Sequence, residues 1–244
     1  MRAAGETMSE LPYVLHTLAL GPMDNFVYLV EDRATGRAAV VDPAWEADRI
    51  LELARERGLR ITDVLLTHSH HDHVNAVAEV LEAHDAEVHL LKPEAEFWGA
   101  HGLRPTLHHG GDVIELGATP VHVLHTPGHT PGSACYLLPG EHLLAGDTIF
   151  VFGCGRCDLR GGDPEQMFHT LRRLKSVLPD ETVIHPGHHY AERPVSTWAE
   201  QKAGNPFLHL ERLGAFVRYR MHYHDRHRHT PYRPVAPGEV MPER

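Results

Sequence analysis

Four side chains that can bind metal ions lie within six residues near the end of the first third of the chain. The segment Thr67–His73 reads Thr-His-Ser-His-His-Asp-His and supplies His68, His70, Asp72 and His73. Imidazoles and carboxylates are ligands for zinc and other first-row divalent ions. Histidine is abundant, at 23 of 244 residues, so a short His-x-His pair alone would be typical of a surface. The denser cluster predicts a metal centre.

The residues on either side of this cluster predict a strand-to-helix turn. An apolar, β-branched run, Ile61–Leu66, precedes it, and an amphipathic pattern at Val74–Ala83 follows it. Open α/β sheets build their sites at the carboxyl ends of strands. The cluster therefore occupies the kind of position where a functional site is expected.

Three further groups of candidate ligands also follow short, strand-like runs. They are His125–Gly132 after Val121–Leu124, Gly146–Thr148 after His142–Ala145, and His185–Tyr190 after Thr182–Ile184. This repetition predicts one site assembled from several loops at the ends of strands.

These motifs resemble the metallo-β-lactamase superfamily and, within it, the glyoxalase II (hydroxyacylglutathione hydrolase) branch, over almost the whole chain. Further matching segments are Gly21–Phe26, Val41–Pro43, Phe152–Arg156, Ser196–Glu200 and Asn205–Phe207. The resemblance implies an α+β fold, the αββα sandwich, with a small C-terminal helical extension that contributes to substrate binding.

The resemblance also implies a centre of two divalent ions, with zinc expected and iron or manganese as alternatives. It assigns the first ion to His68, His70 and His129, and the second to Asp72, His73 and His188, with Asp147 bridging the two. The other histidines of these motifs are expected in loops or behind the ligands; they are His71, His125, His185 and His189.

Such a centre would hydrolyse a bond without a catalytic serine or cysteine. A metal lowers the pKa of bound water to about 7, so a bridging hydroxide would be the nucleophile, and Asp72 is expected to orient it or accept its proton. The motifs contain no obvious acid for the leaving group. A thiolate can leave as the anion because its parent pKa is about 8.5. Thioesters therefore suit the site, while lactones, β-lactams and phosphodiesters stay open.

Substrate recognition is where the sequence departs from the glyoxalase II pattern. Arg156 matches a basic residue of that branch and Tyr190 is retained, but Asp158 replaces a tyrosine. The branch's C-terminal basic residues have no clear equivalent here. Candidate substitutes are Arg212, Arg218 and Arg220. These departures concern the thiol part of the substrate, predicted as glutathione, and not the thioester class.

Two alternatives accompany the hydrolase prediction. The run Gly155-Arg156-Cys157-Asp158 is similar to the Gly-Arg-x-Asp of persulfide dioxygenases, in which a single Fe(II) would use His68, His129 and Asp147. The second alternative is a purely structural metal site. Structural zinc usually has four protein ligands, whereas seven ligands shared by two ions leave room for water. We therefore favour catalysis, and hydrolysis over oxygen chemistry.

Composition limits the remaining classes of function. The formal net charge of -10 disfavours a nucleic-acid substrate, so we expect a small molecule. No apolar stretch is long enough to span a membrane, and the N-terminus lacks a signal-peptide pattern, so we expect a cytoplasmic protein that does not bind membranes. A homodimer is one expected assembly. Cys154 and Cys157 have redox-type CxxC spacing but are expected to be reduced thiols, with a redox or persulfide-carrying role as the alternative.

The resemblance implies a metallo-β-lactamase-fold catalytic domain, residues 1–190, followed by a C-terminal helical cap and tail, residues 191–244. Strands are expected near 13–19, 25–31, 38–42 and 63–67, with more between 112 and 150. Helices are expected near 46–57, 73–84, 164–177, 196–203 and 206–222. The histidine-rich run His222–His229 is expected to be a solvated helix end; adventitious metal binding, a place in the pocket lining and contact with a partner subunit are the alternatives.

Overall fold

The first half of the chain forms a six-stranded sheet. The computed structural model describes residues 11–226 and 231–240. The strands follow chain order in the sheet: β1 (Tyr13–Leu20), β2 (Asn25–Asp32), β3 (Arg37–Val41), β4 (Arg60–Leu65), β5 (Glu87–Leu91) and β6 (Thr106–His108). The β3, β4, β5 and β6 strands run parallel, so their carboxyl ends meet at one edge.

The second half contributes another six-stranded sheet and a two-stranded hairpin. The strands are β7 (Val113–Leu116), β8 (Thr119–His125), β9 (Ala134–Leu138), β10 (His142–Gly146), β11 (Ile149–Phe150), β12 (Gly153–Cys154), β13 (Val183–Pro186) and β14 (Ser196–Thr197). The sheet order is β14-β13-β10-β9-β8-β7, and β11 pairs with β12. Because β10 and β13 are parallel, they too end at a common edge.

The helices fall between and after these strands. They are α1 (Ala47–Arg57), α2 (His71–Val74), α3 (Val77–Ala83), α4 (Lys92–Trp98), α5 (Pro164–Val177), α6 (Trp198–Gly204), α7 (Pro206–His209) and α8 (Leu213–Arg218). The α5 helix begins as its sequence predicts, because Asp163 accepts bonds from two backbone N–H groups of the first turn and Pro164 occupies the first helical position.

Alternating residues of the strands build the layers. In β2, Tyr28 and Val30 pack in the cluster between the two sheets, whereas Val27 and Leu29 pack in a cluster with Ile50 of α1. A third cluster joins the second sheet to α5 and the C-terminal helices. The α+β, αββα sandwich with a C-terminal helical extension is therefore confirmed.

Two helices that were predicted to be continuous are interrupted in the structure. The helix expected over 73–84 is broken between α2 and α3, where the N–H of Ala76 bonds the carbonyl of Pro43 and the Asn75 amide accepts from the N–H of Trp45. These tertiary bonds outweigh continuation of the helix. The helix expected over 206–222 is likewise divided into α7, α8 and a π-helical turn at Tyr219–Tyr223.

The C-terminal portion contains helices, as expected, but the boundary between residues 1–190 and 191–244 stays a prediction. Part of the histidine-rich run, His227–His229, lies outside the described residues. His222 and Arg226 are exposed, as a solvated helix end requires, whereas His224 is buried with its ring 4.8 Å from that of Phe207. In the described part of the chain, no helix has the length and apolar character needed to cross a membrane.

Candidate metal centre

Loops at one edge of the sandwich bring the candidate ligands together. Thr67 and His68 follow β4, and Asp147 and His188 follow the parallel strands β10 and β13. His129 lies in the loop between β8 and β9. The parallel pairing within each sheet is the reason that residues distant in sequence meet here.

Three imidazoles form a first candidate ligand set. One ligand atom each from His68, His70 and His129 lies within 4.8 Å of the other two. The closest pair is the Nδ1 of His70 and the Nε2 of His129, 2.8 Å apart. The ligand atoms of a tetrahedral ion with bonds of about 2.1 Å are themselves about 3.4 Å apart, so this set has the dimensions of a metal site.

Asp72, His73 and His188 form the second set, with the same mutual limit of 4.8 Å. The Nε2 atoms of His73 and His188 are 3.1 Å apart. One carboxylate oxygen of Asp72 lies 3.5 Å from the first and 3.4 Å from the second.

Asp147 lies between the two sets. Its Oδ1 is 3.4 Å from the Nε2 atoms of both His73 and His188, and its Oδ2 is 3.5 Å from the Nε2 of His129. Gly187 permits this approach, because a Cβ there would lie 2.5 Å from Oδ1 of Asp147. Each oxygen of one carboxylate thus faces a different ligand set.

The orientation of the rings fits a metal ion. The Nδ1 atoms of His129 and His188 donate to the carbonyls of Arg156 and Met23, which turns their Nε2 atoms into the site. The Nε2 of His68 is buried with no hydrogen-bond partner among the described residues. A buried polar atom of this kind is costly unless something absent from the protein chain satisfies it.

The electrostatics also suit bound cations. Burial lowers the pKa of His68 well below its usual value and that of His129 to about 4, so both are neutral imidazoles, the form that binds metals. Burial alone would also lower the pKa of His73, but the carboxylates of Asp147 and Asp42 raise it to about 9. The second set is therefore a negatively charged environment that attracts a proton or a metal ion.

Asp42 forms hydrogen bonds that reach both ligand sets, directly to His73 and through Thr67 to His68. Its carboxylate accepts from the Nδ1 of His73 at 2.9 Å and from the backbone N–H and hydroxyl of Thr67 at 2.7 and 2.5 Å. The hydroxyl of Thr67 lies 3.0 Å from the Nδ1 of His68. Asp42 is not among the predicted site residues, although its position directly after β3 was a signal.

Glu94 joins two of the ligand loops. It is fully buried in α4 and accepts from the N–H and hydroxyl of Ser69 at 2.9 and 2.6 Å and from the N–H of Gly132 at 2.9 Å. Ser69 lies between His68 and His70, and Gly132 follows the His129 turn. No sequence signal pointed to Glu94, because an isolated glutamate in a helical segment is ordinarily exposed.

A third support orients Asp72. The side-chain amide of Asn25 donates to the backbone carbonyl of Asp72 at 2.9 Å and to its carboxylate at 3.2 Å. The indole N–H of Trp45 donates to the carbonyl oxygen of that amide at 2.8 Å, which fixes which end of the amide faces Asp72. Trp45 has a left-handed backbone (φ 64°), a sparsely populated conformation often found near functional sites.

The remaining motif histidines lie away from the ligand sets. His71 is exposed and its ring lies 6.3 Å from that of Trp45, while His125 lies within 2.8 Å of the carbonyl of Pro131. His185 stacks on His142, and His189 packs against Phe26. These positions agree with a supporting or loop role.

A cavity of about 420 Å³ opens onto the ligand sets. Its lining includes Arg156, Tyr190 and Arg220, in addition to ligand residues. Arg156 is bonded to Asp158 through two parallel bonds of 2.7 and 2.6 Å, and these bonds, against a smaller effect of burial, lower the pKa of Asp158 to about 2. Arg212 and Arg218 are exposed and are not among the residues that line this cavity.

The three cysteines are buried, and none forms a disulfide within the described part of the chain. Cys154 contributes to the cavity wall. Burial raises the pKa of Cys157, and the neighbouring Cys154 adds to this effect. A thiol in this environment is weakly nucleophilic, which disfavours the redox alternative.

Comparison with known proteins agrees with the fold. Residues 20–188 match the sequence profile of the Metallo-beta-lactamase superfamily, so the chain belongs to this superfamily. Its members are generally metallohydrolases, and the histidine and aspartate cluster of this chain could hold divalent ions.

Individual relatives are similar over most of the chain. A protein named probable polyketide biosynthesis zinc-dependent hydrolase BaeB, from Bacillus velezensis, is 34% identical over 80% of this chain and 87% of its own length. A hydroxyacylglutathione hydrolase from Fuscovulum blasticum is 40% identical over 76% of this chain and 70% of its own. The crystal structure of ETHE1 from Myxococcus xanthus has a TM-score of 0.79 and 30% identity over 93% of this chain and 98% of its own.

Proposed function

We propose that this protein is a hydrolase of thioesters that uses two divalent metal ions, with zinc as the expected metal. Each ion would be held by one ligand set, with Asp147 shared. The position of Asp147 carries the proposal, because its two carboxylate oxygens lie 3.4 to 3.5 Å from imidazole nitrogens of different sets. Relatives named as a zinc-dependent hydrolase and as hydroxyacylglutathione hydrolases support it.

The protein's own groups have distinct parts in such a reaction. Divalent ions bound in this centre would lower the pKa of a water ligand and polarise the scissile carbonyl. Asp72 reaches the cavity, is oriented by Asn25, and can accept the proton of the attacking water. Burial raises the pKa of Tyr190, so it stays a neutral phenol that can donate a hydrogen bond to the substrate.

The preference for thioesters follows from the leaving group. A thiolate needs no proton donor to depart near neutral pH, whereas an amine or alkoxide does. Arg156, Asp158 and Tyr190 are the residues we propose to contact the thiol arm, with Arg220 as the candidate for the C-terminal basic residue of the glyoxalase II branch. S-Acylglutathione is therefore the first substrate to test.

A persulfide dioxygenase with one Fe(II) is the second candidate. It would use His68, His129 and Asp147, and the Oδ2 of Asp147 lies 3.5 Å from the Nε2 of His129. The Arg156–Asp158 ion pair of the Gly-Arg-x-Asp run favours this candidate as well.

One experiment separates the two candidates. Thiol release from S-lactoylglutathione and oxygen uptake on glutathione persulfide are measured on the same preparation, together with its metal content. Thiol release that a chelator abolishes, with about two ions per chain and no oxygen uptake, supports the hydrolase. Oxygen uptake without thiol release, on protein with one iron per chain, would replace it by the dioxygenase. A cytoplasmic location and a homodimeric state stay predictions.

A further inference from the structure

Two hydrogen-bonded crossings of the same construction join the two sheets beside the ligand sets. In the first, the hydroxyl of Tyr136 in β9 donates to the carbonyl of Leu66 at 2.8 Å. The N–H of Ala134 donates to the carbonyl of Thr67, also at 2.8 Å. Leu66 and Thr67 lie between β4 and His68 of the first ligand set. We call this crossing the first clamp.

The second clamp repeats the arrangement with the two sheets exchanged. The hydroxyl of Tyr28 in β2 donates to the carbonyl of Pro186 at 2.7 Å, and the N–H of Phe26 donates to the carbonyl of Gly187 at 2.8 Å. Pro186 ends β13, and Gly187 precedes His188 of the second ligand set. In both clamps the tyrosine comes two residues after the N–H donor, and a ligand histidine comes two residues after the carbonyl that the tyrosine binds.

Both tyrosines are buried and protonated. Only 3% of the surface of Tyr28 and 1% of that of Tyr136 is exposed. Burial raises the pKa of both phenols well above the usual value, and the carboxylate of Asp42 adds to this increase. Each hydroxyl is therefore a permanent donor. Loss of such a bond in a buried position leaves the carbonyl short of a donor that water does not readily replace.

The first clamp links the two loops that supply the first ligand set. It joins the chain just before His68 to Ala134, which begins β9 directly after the loop that contains His129. His68 follows a strand of the first sheet, whereas His129 lies between two strands of the second. The separation of their ring nitrogens therefore depends on a contact between the sheets, which pairing within either sheet does not supply.

The second clamp links the two parts of the second ligand set in the same way. It joins the chain just before His188 to Phe26, which follows Asn25. The amide of Asn25 donates to the carboxylate of Asp72 at 3.2 Å. Asp72 and His188 belong to opposite halves of the sandwich, so the second clamp controls how closely their ligand atoms approach.

We propose that Tyr136 and Tyr28 are positioning residues for separate metal ions, Tyr136 for the ion of the first ligand set and Tyr28 for that of the second. This inference rests on the proposed two-metal centre. The physical reason is that ligand geometry sets metal affinity, and removing groups that orient ligands commonly weakens binding by about 10–100-fold. Phenylalanine at either position keeps the buried ring and removes only the hydroxyl.

Tyr13 provides a matched control. It is also buried, and its hydroxyl donates to the carbonyl of Pro139 at 3.0 Å, again from the first sheet to the second. Pro139 lies between the end of β9 and the start of β10. Because β9 begins and β10 ends beside the ligand loops, Pro139 is at the opposite edge of the sandwich. Tyr13→Phe thus removes a similar bond far from the centre.

Zinc affinity of the full chain, measured by competition with a chromophoric chelator, tests the assignment. Asp72→Ala weakens the second set, so that the tighter ion reports on the first. In that background Tyr136→Phe is expected to weaken zinc binding about tenfold, and Tyr28→Phe by less than about twofold. In a His70→Ala background, where the tighter ion reports on the second set, the two effects should be exchanged. Tyr13→Phe should change neither affinity by more than about twofold.

Urea unfolding of the metal-free variants distinguishes positioning from general stability. All three Tyr→Phe changes remove a bond between the sheets, so each is expected to lower the unfolding midpoint. A purely structural role would therefore move all three midpoints and leave the zinc affinities alike. Unchanged affinities, an equal loss in Tyr13→Phe, or losses that do not exchange between the two backgrounds would overturn the inference.

These measurements do not depend on turnover. If the native protein hydrolyses thioesters but the tyrosine variants bind zinc normally, the clamp assignment fails and the proposed function stands. If the expected losses of affinity occur in a protein that releases no thiol from any thioester tested, the clamps are supported and the hydrolase is rejected.

Discussion

Replacing Glu94 with glutamine should destabilise the protein and loosen the metal centre together. Glu94 is fully buried and accepts three bonds, two from Ser69 and one from Gly132, which belong to the loops of the first ligand set. Glutamine has nearly the same shape but only one acceptor oxygen. Its amide group would face one of these donors, so the change isolates hydrogen bonding from packing.

The expected loss follows from these three bonds. If the remaining oxygen faces Ser69, the N–H of Gly132 meets another donor, and an unsatisfied buried donor costs about 1–3 kcal/mol. The two bonds to Ser69 also change from charged to neutral, which weakens each by about 1 kcal/mol. We therefore expect the free energy of unfolding to fall by about 3–5 kcal/mol, equivalent to about 6–20 °C in Tm for a domain of this size.

Urea and thermal unfolding of metal-free protein, followed by circular dichroism, measure this loss without stabilisation by bound metal. Glu96→Gln is the matched control, because Glu96 lies in the same helix but is exposed. Its carboxylate forms a long surface ion pair with Lys92, 3.9 Å between the charged atoms. It should change the unfolding free energy by less than about 0.5 kcal/mol. A loss below about 1 kcal/mol in Glu94→Gln, or one equal to the control, would refute the reasoning.

Four further outcomes are expected. Asp147→Ala should reduce the metal content measured by mass spectrometry and lower kcat by about two orders of magnitude, whereas unchanged occupancy and turnover would contradict a shared ligand. His71→Ala should leave both nearly unchanged, because that side chain is exposed. Trp45→Phe removes the N–H that fixes the Asn25 amide, so affinity for the more weakly held ion should fall about tenfold in chelator competition; native-like affinity would exclude this orienting role. Asp63→Asn should lessen the acid sensitivity of unfolding between about pH 5 and 2. Burial by itself would raise the pKa of Asp63. Hydrogen bonds from His89 and Thr62 outweigh burial and keep the folded pKa of Asp63 below its unfolded value of about 3.9. The stability it confers is therefore complete above that value and is lost as pH falls through the folded pKa; parallel urea titrations of both proteins would detect this.

Local patterns predicted most of the elements near the candidate centre. The β2 strand alternates between two hydrophobic layers, and α5 begins at an aspartate followed by proline, so both could be read from neighbouring residues. The break between α2 and α3 could not, because it depends on bonds from Pro43 and Trp45, which are distant in sequence. Helix periodicity contains no information about such partners.

By itself the sequence determined the ligand types, their order along the chain and the superfamily they indicate, since these depend on residues within a few positions of one another. Only the tertiary structure decided that both oxygens of Asp147 face separate imidazole sets, that Asp42 and Glu94 support the ligand loops, and that Tyr232 closes one wall of the cavity. The physical reason is that these contacts arise where parallel strands of two stacked sheets end at a common edge. Distances across that edge follow from packing of the whole chain, which no local spacing specifies.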